Sequence, residues 1–164
     1  MKVITCNGDD ACKDQELRLD VLTSSPDVGV LMICNGKAAC SGNAKHKIES
    51  GKVVPVAVVC CGEDACSGNY KFEVTSWATG VDAYGYCYGK AACSGSSSKW
   101  EVWDGHRLYL HCDGTKDDTC KDTTLEVVGS GVAECSGGGC PNDLKRRLAA
   151  EEPAPDRRVE GAEP

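Results

Sequence analysis

Large apolar and aromatic side chains are scarce in this sequence. Its 164 residues include one Phe, two Met and three Trp, and only 5% are aromatic. No apolar run reaches the roughly 18–20 residues that cross a bilayer, so we expect no membrane insertion. The segment from Met1 to Cys6 also lacks the apolar stretch of a signal peptide. We therefore expect either that the protein is not exported by the signal-peptide route or that Met1 begins an already processed or recombinant form.

A basic cluster is missing as well. The chain has 18 Lys and Arg against 25 Asp and Glu, a net charge of −7, and its pI is about 4.9. Proteins that bind nucleic acid through the phosphate backbone carry a basic patch. The composition therefore predicts no nucleic-acid partner and no electrostatic attachment to a membrane surface.

Cysteine, in contrast, is abundant, and it belongs to an internal repeat. The pattern Cys-x-Gly-x-x-Ala-Cys begins at Cys6, Cys34, Cys60 and Cys87. Two degenerate copies run from Cys112 to Cys120 and from Cys135 to Cys140. The leading cysteines are 28, 26, 27, 25 and 23 positions apart, and the repeat includes 12 of the 13 cysteines. Periods of this length indicate a solenoid or another repeat array.

Apolar and polar residues alternate between the cysteines with period two, which predicts half-buried strands. One inward column is predicted to hold Leu19, His46, Phe72, Trp100 and Leu125, and the next Val21, Ile48, Val74, Val102 and Val127. The outward columns are predicted as Arg18, Lys45, Lys71, Lys99, Thr124 and as Asp20, Lys47, Glu73, Glu101, Glu126. The pattern indicates an all-β parallel β-helix, or β-solenoid, of about five to six rungs over residues 1–140.

The repeat resembles that of cysteine-rich right-handed parallel β-helix proteins of algae, protists and their large viruses. The shared features are Cys-x-Gly-x-x-Ala-Cys and the short alternating strand that follows it, and they cover residues 1–140. The resemblance implies the architecture and leaves the function open.

The ends of a solenoid expose strand edges and need covering. Residues 141–150 begin with Pro141-Asn142-Asp143 and place Leu144 and Leu148 four positions apart, which predicts a short capping helix. Residues 151–164 are polar and interrupted by proline, which predicts an extended or disordered tail.

The cysteines allow three interpretations: disulfides within each corner, reduced cysteines packed as small apolar side chains, and inter-rung pairs or metal ligands. We favour corner disulfides, because metal ligands usually converge at closer spacing. The candidates are Cys6, Cys12, Cys34, Cys40, Cys60, Cys66, Cys87, Cys93, Cys112, Cys120, Cys135 and Cys140. Cys61 is then the spare thiol, and we expect it to be buried and free. We expect no metal and no cofactor.

Catalytic constellations are not evident in the pattern. His46 falls in an inward column and is expected in the core, His111 points outward, and His106 is expected in a turn. The outward acids Asp20, Glu73, Glu101 and Glu126 stand beside a column of Lys and Arg, which favours an ion-pair ladder over a catalytic carboxylate pair. The threonines form no column of the kind that ice binding requires. We therefore expect no enzymatic activity.

The strand before each leading cysteine is apolar on both sides. Its outward residues are expected to form an exposed apolar face, which consists of Val3, Leu31, Ile33, Ala57, Val59, Tyr84, Tyr86, Tyr109, His111 and Val132. Burial of this face within the same chain, by the C-terminal segment or through a different parity of the strands, is the competing interpretation. An exposed patch of this kind marks a contact surface.

These patterns predict a non-catalytic structural subunit that docks through this face onto a protein partner in a larger assembly or onto a second copy. The alternative is a carbohydrate-binding or carbohydrate-cleaving β-helix that uses Tyr84, Tyr86 and Tyr109 as a sugar platform. Disulfides favour an oxidising extracellular or lumenal compartment, an organelle or a virion over the cytosol.

Overall fold

The chain forms two parallel β-sheets that share one core. The computed structural model describes residues 1–21, 29–51, 53–76, 81–103, 106–115, 118–129 and 131–140. Within these ranges the secondary structure consists of strands, and no helix is present. The strands are β1 (Lys2–Asn7), β2 (Glu16–Val21), β3 (Val30–Asn35), β4 (Lys45–Ser50), β5 (Val56–Cys61), β6 (Lys71–Ser76), β7 (Asp82–Tyr88), β8 (Lys99–Trp103), β9 (His106–Cys112), β10 (Thr124–Val128) and β11 (Gly131–Ser136). The predicted parallel β-solenoid is therefore confirmed.

The strands alternate between the two sheets. The odd-numbered strands form a six-stranded sheet in the order β1-β3-β5-β7-β9-β11, which we call the first sheet. The even-numbered strands form a five-stranded sheet in the order β2-β4-β6-β8-β10, the second sheet. Every neighbouring pair is parallel, so each passage of the chain adds one strand to each sheet. The predicted helix at 141–150 and tail at 151–164 lie outside the described residues.

The core lies between the sheets and is one side chain deep from each. Met32, Val58 and Leu110 enter it from the first sheet, and Ile48, Val74 and Val102 enter it from the second. Trp100 of the second sheet packs against Gly85 of the first sheet. A Cβ atom added at Gly85 of β7 would lie 2.6 Å from Cζ3 of Trp100 and 2.7 Å from Cδ1 of Leu110. Glycine stands there because the indole occupies the space that a side chain would fill.

The cysteine corners are runs of tight turns stacked on one another. Backbone hydrogen bonds run within a corner, as from Ala11 N to Gly8 O (3.3 Å), and between corners, as from Cys40 N to Ala11 O (2.8 Å). Alternate corner residues adopt left-handed φ angles, including the non-glycine residues Ala38 (53°) and Cys40 (56°). A left-handed residue costs about 1–2 kcal/mol. The inter-rung hydrogen bonds and the disulfides hold the chain in this conformation.

The glycine of the repeat is required by the stacking. Gly36 has a φ of 134°, and a Cβ atom there would lie only 2.5 Å from the carbonyl oxygen of Gly8 in the preceding corner. The close approach of the two backbones therefore explains the third position of Cys-x-Gly.

The predicted register is wrong for the first copy. His46, Phe72, Trp100 and Leu125 are level, as predicted, but Leu17 occupies their column in β2. Leu19 is level with Ile48, so both it and Val21 lie one inward column beyond the predicted one. Lys45 N donates to Gln15 O (2.9 Å), which starts β2 at Glu16. This corner contact, which the alternation does not reveal, sets the register.

The last copy is also displaced. Cys135 is level with Leu110 and not with Cys112, so Val132 is level with Arg107. The predicted column placed Val132 beside Tyr109, a position that Glu134 takes. The final spacing of 23 residues is two shorter than the preceding 25. The strand consequently pairs two residues earlier.

Candidate functional site

The outer side of the first sheet carries two straight apolar columns. The first column is Val3, Leu31, Ala57, Tyr84, Tyr109 and Glu134, and the second is Thr5, Ile33, Val59, Tyr86, His111 and Ser136. We call these two columns the outer face of the first sheet. Parallel pairing in register stacks equivalent residues directly over one another, so a repeat in the sequence becomes a surface.

These side chains point away from the core. Along β3 and β5 fully buried residues alternate with half-buried ones: Met32 and Val58 are buried, while Leu31, Ile33 and Val59 are partly exposed. Val3 is 50% exposed. The described residues do not cover this face, and the alternation of burial rules out the opposite parity for β3 and β5. Residues 141–164, the segment that the competing interpretation places over the face, lie outside the described residues. Contiguous exposed apolar surface of this kind marks contact sites in soluble proteins.

Tyr84 and Tyr109 form the centre of the aromatic part. Their rings stack, with centroids 5.3 Å apart and planes inclined by 18°. The hydroxyl of Tyr84 donates to Oδ2 of Asp82 at 3.4 Å. Burial, followed by the charge of Asp82, raises the pKa of Tyr84 above its ordinary value. This tyrosine therefore remains a neutral hydrogen-bonding group with an apolar ring.

An ion pair bounds the aromatic part. Arg107 donates from Nε and Nη2 to the two carboxylate oxygens of Asp82, at 2.7 and 3.0 Å. The hydrogen bonds and charge of Asp82 raise the pKa of Arg107. The charges that border the tyrosines are thus already paired within the chain, and a contact with the face would not leave them without a counter-ion.

A second aromatic group continues the face. The rings of Tyr86 and Tyr88 are parallel with centroids 6.5 Å apart, and His111 lies 6.1 Å from Tyr88. Its Nδ1 is 3.2 Å from Oγ of Ser136. The sequence interpretation omitted Tyr88, Asp82 and Arg107. Tyr88 was detectable, because it stands two positions after Tyr86 on the same side of the strand.

Three predicted positions differ in the structure. Val132 is 46% exposed but lies beside Arg107, at the margin of the outer face and outside its two columns. Cys61 is the free cysteine, as the pairing of the other twelve predicted. It is exposed rather than buried, because it points outward between Asn35 and Tyr88. His106 is the first residue of β9 and is buried, where a turn was expected. Its Nδ1 accepts a hydrogen bond from Val81 N (3.2 Å).

The other twelve cysteines form six corner disulfides. The pairs are Cys6–Cys12, Cys34–Cys40, Cys60–Cys66, Cys87–Cys93, Cys112–Cys120 and Cys135–Cys140, with Cα atoms 5.8–6.1 Å apart. The pairs are stacked along the solenoid, so sulfurs of neighbouring corners, such as Cys34, Cys60 and Cys66, lie within 4.8 Å of one another. Disulfide sulfurs lack the thiolate charge that zinc ligands need. Six disulfides are consistent with an oxidising compartment.

His46 lies in the core, where it makes no surface site. It is 1% exposed, and its Nδ1 is 3.2 Å from the hydroxyl of Tyr70. Burial lowers the pKa of His46 to about 4 and raises the pKa of Tyr70. Among the described residues, Nε2 of His46 and Nε1 of Trp100 have no hydrogen-bond partner. A histidine with this pKa is neutral at pH 7.

The outer side of the second sheet carries a ladder of ion pairs. Lys71 binds Glu73 (3.1 Å) and Glu101 (3.4 Å), and Lys99 binds Glu101 (2.7 Å). Lys47 continues the ladder to Glu73 at 3.1 Å. Burial raises the pKa of Glu73, but hydrogen bonds from Lys71 and Lys47 outweigh it and the pKa is lowered. Glu73 is thus paired and its pKa is lowered, unlike the general acid of a glycosidase, whose pKa is raised.

The comparisons with known proteins add no relative to this description. No family model, curated protein or solved structure matches the chain. Within the described residues there is no helix with the length and apolar character needed to cross a membrane. The surfaces of the two sheets are therefore the basis for a functional proposal.

Proposed function

We propose that the protein is a non-catalytic structural subunit that docks through the outer face of the first sheet onto a protein surface, either that of a partner in a larger assembly or that of a second copy. The single observation that carries this proposal is the half-buried, nearly uncharged pair of columns on the outside of β1, β3, β5, β7 and β9. A solenoid needs apolar residues on its inner side only. The apolar residues on the outer side are therefore not explained by the stability of the fold.

The chemistry of the face suits a protein partner. Tyrosine residues beside aliphatic ones are typical of interaction hot spots, because a large apolar ring brings a hydrogen-bonding hydroxyl with it. The rigid sheet supports the side chains, so docking orders few flexible groups and costs little conformational entropy. The disulfides favour an extracellular or lumenal assembly, an organelle or a virion as its place.

The stacking of the tyrosines supports protein docking over the carbohydrate-binding alternative. A sugar platform needs an aromatic ring whose flat side is open. Tyr84 and Tyr109 each turn one flat side toward the other ring. The half of the outer face on β3 and β5 is aliphatic, with Leu31, Ile33, Ala57 and Val59, whereas a sugar site would add polar groups for the hydroxyls.

The size of the protein in a native extract of its source cells tests the proposal. We expect the wild type to sediment well above its own 17.3 kDa, and Tyr84→Ser/Tyr109→Ser to shift to the free form. Trp103→Ser is the matched control, because Trp103 is a 40% exposed aromatic residue on the second sheet. A wild type that stays at its own mass both in the extract and when it is concentrated after purification, or a control that dissociates equally, would overturn the proposal.

A further inference from the structure

We infer that the occupant of the outer face is a second copy of this chain, related by a two-fold axis that runs parallel to the strands between β5 and β7. This inference rests on the proposed function and names the partner. A two-fold contact is isologous, so the same face must be complementary to itself.

The size of the outward side chains changes along the solenoid in the way that such an axis requires. The half that contains β3 and β5 carries aliphatic residues, with the smallest ones, Ala57 and Val59, on β5. The half that contains β7 and β9 carries rings, with Tyr84 and Tyr86 on β7. An axis between β5 and β7 reverses the strand order of the second copy and keeps its columns in line. Ala57 then faces Tyr84 of the second copy, and Val59 faces its Tyr86.

The same operation matches the remaining strands. β3 comes to lie over β9 of the second copy, so Leu31 faces Tyr109 and Ile33 faces His111. At the outer edges β1 lies over β11, so Thr5 faces Ser136 and Val3 faces Glu134, and all four residues are at the margin of the face. Rings therefore meet aliphatic side chains at the centre, and the charged and polar groups are confined to the rim, as in protein interfaces generally.

The other two-fold axis in the plane of the face gives a poorer fit. An axis along the stacking direction places each strand over the equivalent strand of the second copy. The rings on β7 and β9 then face the rings on β7 and β9 of that copy. The bulky half would hold the copies apart, and a gap would remain over Ala57 and Val59. Gaps of that kind forfeit dispersion contacts. The size gradient thus selects the axis parallel to the strands.

Electrostatics permits the contact. In the two columns of the outer face the ionisable residues are Glu134, at the edge, and the tyrosines and His111. Asp82 and Arg107 are paired within the chain. The net charge of −7 opposes the approach of two copies, but salt screens it over about 8 Å at physiological ionic strength. Association should therefore strengthen as salt is added.

The area indicates a weak, reversible dimer. Five strand spacings of about 4.8 Å, and three outward positions per strand when the adjoining column of Cys61 and Tyr88 is included, give a face of roughly 24 by 20 Å in projection. This is near the low end of specific interfaces, about 600 Å² per partner. We expect a dissociation constant on the order of micromolar.

Sedimentation of the purified protein is the first test. The mass should rise with concentration from 17.3 kDa to roughly twice that value. Tyr84→Ser/Tyr109→Ser should weaken association by about tenfold or more, equivalent to about 1.4 kcal/mol, whereas Trp103→Ser should not. A purified protein that stays monomeric at high concentration overturns the inference. If its complex in the native extract still depends on the outer face, the proposed function stands and only the partner is different.

Cross-linking tests the axis. In a Cys61→Ser background, Ile33→Cys/His111→Cys keeps both tyrosines and places two thiols about 14 Å apart in one chain, three strand spacings away, but opposite each other across the interface. A short bismaleimide should therefore link two chains. Ile33→Cys alone is the matched control, since this residue comes near its own counterpart around the axis along the stacking direction and lies three strand spacings from it, about 14 Å, around the proposed axis. Dimers from the control, or none from the double variant, would overturn the proposed axis.

Discussion

The two sheets have the same backbone and opposite outer surfaces. Both consist of parallel strands of five to seven residues, and both direct alternate side chains into one core. Outside, the second sheet carries the ladder of Lys47, Lys71, Glu73, Lys99 and Glu101, in which each cation contacts two carboxylates. The first sheet carries Leu31, Ile33, Val59 and the tyrosines at equivalent positions.

The difference shows which residues the fold requires. A parallel ladder of strands depends on its backbone hydrogen bonds and its inner side chains, and both are alike in the two sheets. The outer side chains are free to vary within solubility. The second sheet shows that mixed charges are compatible with this backbone, so the apolar columns of the first sheet are not imposed by the solenoid. This comparison is the physical basis of the docking proposal.

The largest expected effect separates the two sides of one strand. Leu110→Ala removes a 1% exposed side chain of β9 and should lower the free energy of unfolding by about 2–5 kcal/mol. Tyr109→Ala, one position away on the outer face, should cost about 1 kcal/mol, mostly the ring contact with Tyr84. Chemical denaturation measures both values. If Tyr109→Ala lowered the free energy of unfolding as much as Leu110→Ala, the ring of Tyr109 would belong to the core. The two sides of β9 would then not differ as described.

Acid should destabilise the folded protein through His46, a buried residue of the second sheet. His46 has a pKa of about 4 in the folded chain and 6.5 as its reference value, so the unfolded chain takes up this proton first. The contribution of His46 to the free energy of unfolding is therefore fully present above pH 6.5. It is lost as the pH falls to about 4, which lowers the free energy of unfolding by about 3 kcal/mol. His46→Phe should remove most of this loss in a denaturation series against pH. His111→Gln, on the outer face of the first sheet, is the control and should retain it.

The smallest expected effect concerns the ladder. Glu101 contacts Lys71 and Lys99, and Glu101→Gln should lower the free energy of unfolding by about 1 kcal/mol at low salt and by less at high salt. Self-association through the first sheet should respond to salt in the opposite direction. The first effect is measured by denaturation and the second by sedimentation. A variant whose loss does not depend on salt would show that Glu101 acts by packing rather than by charge.

Much of the fold was predictable because the repeat is regular. Gly36 and its equivalents marked the corners, and the alternation around Phe72 and Trp100 gave the correct inward side. The columns of the outer face followed from the same alternation, through Leu31, Tyr84 and Tyr109. Parity along a strand is a local property, so a single sequence contains it.

The errors arose where copies differ in length. Leu19, Val21 and Val132 lie outside their predicted columns because the register of β2 and β11 depends on corner hydrogen bonds such as Lys45 N to Gln15 O. The cysteine count alone left Cys61 without a disulfide partner, but its exposure depends on the side of β5 on which it lies. Successive residues of a strand point to opposite sides, so Cys61 points outward because the adjacent Cys60 is buried.

The sequence by itself determined the corners, the pairing of cysteines within them and the side of each strand that faces the core, because these follow from short-range spacing. Only the tertiary structure decided which residues of different copies are level, the left-handed backbone at Ala38 and Cys40, and the fit of Trp100 against Gly85. Those features depend on contacts between residues about 15 to 30 positions apart. Their energies are set by the neighbouring rung and the facing sheet, which no local pattern in one copy specifies.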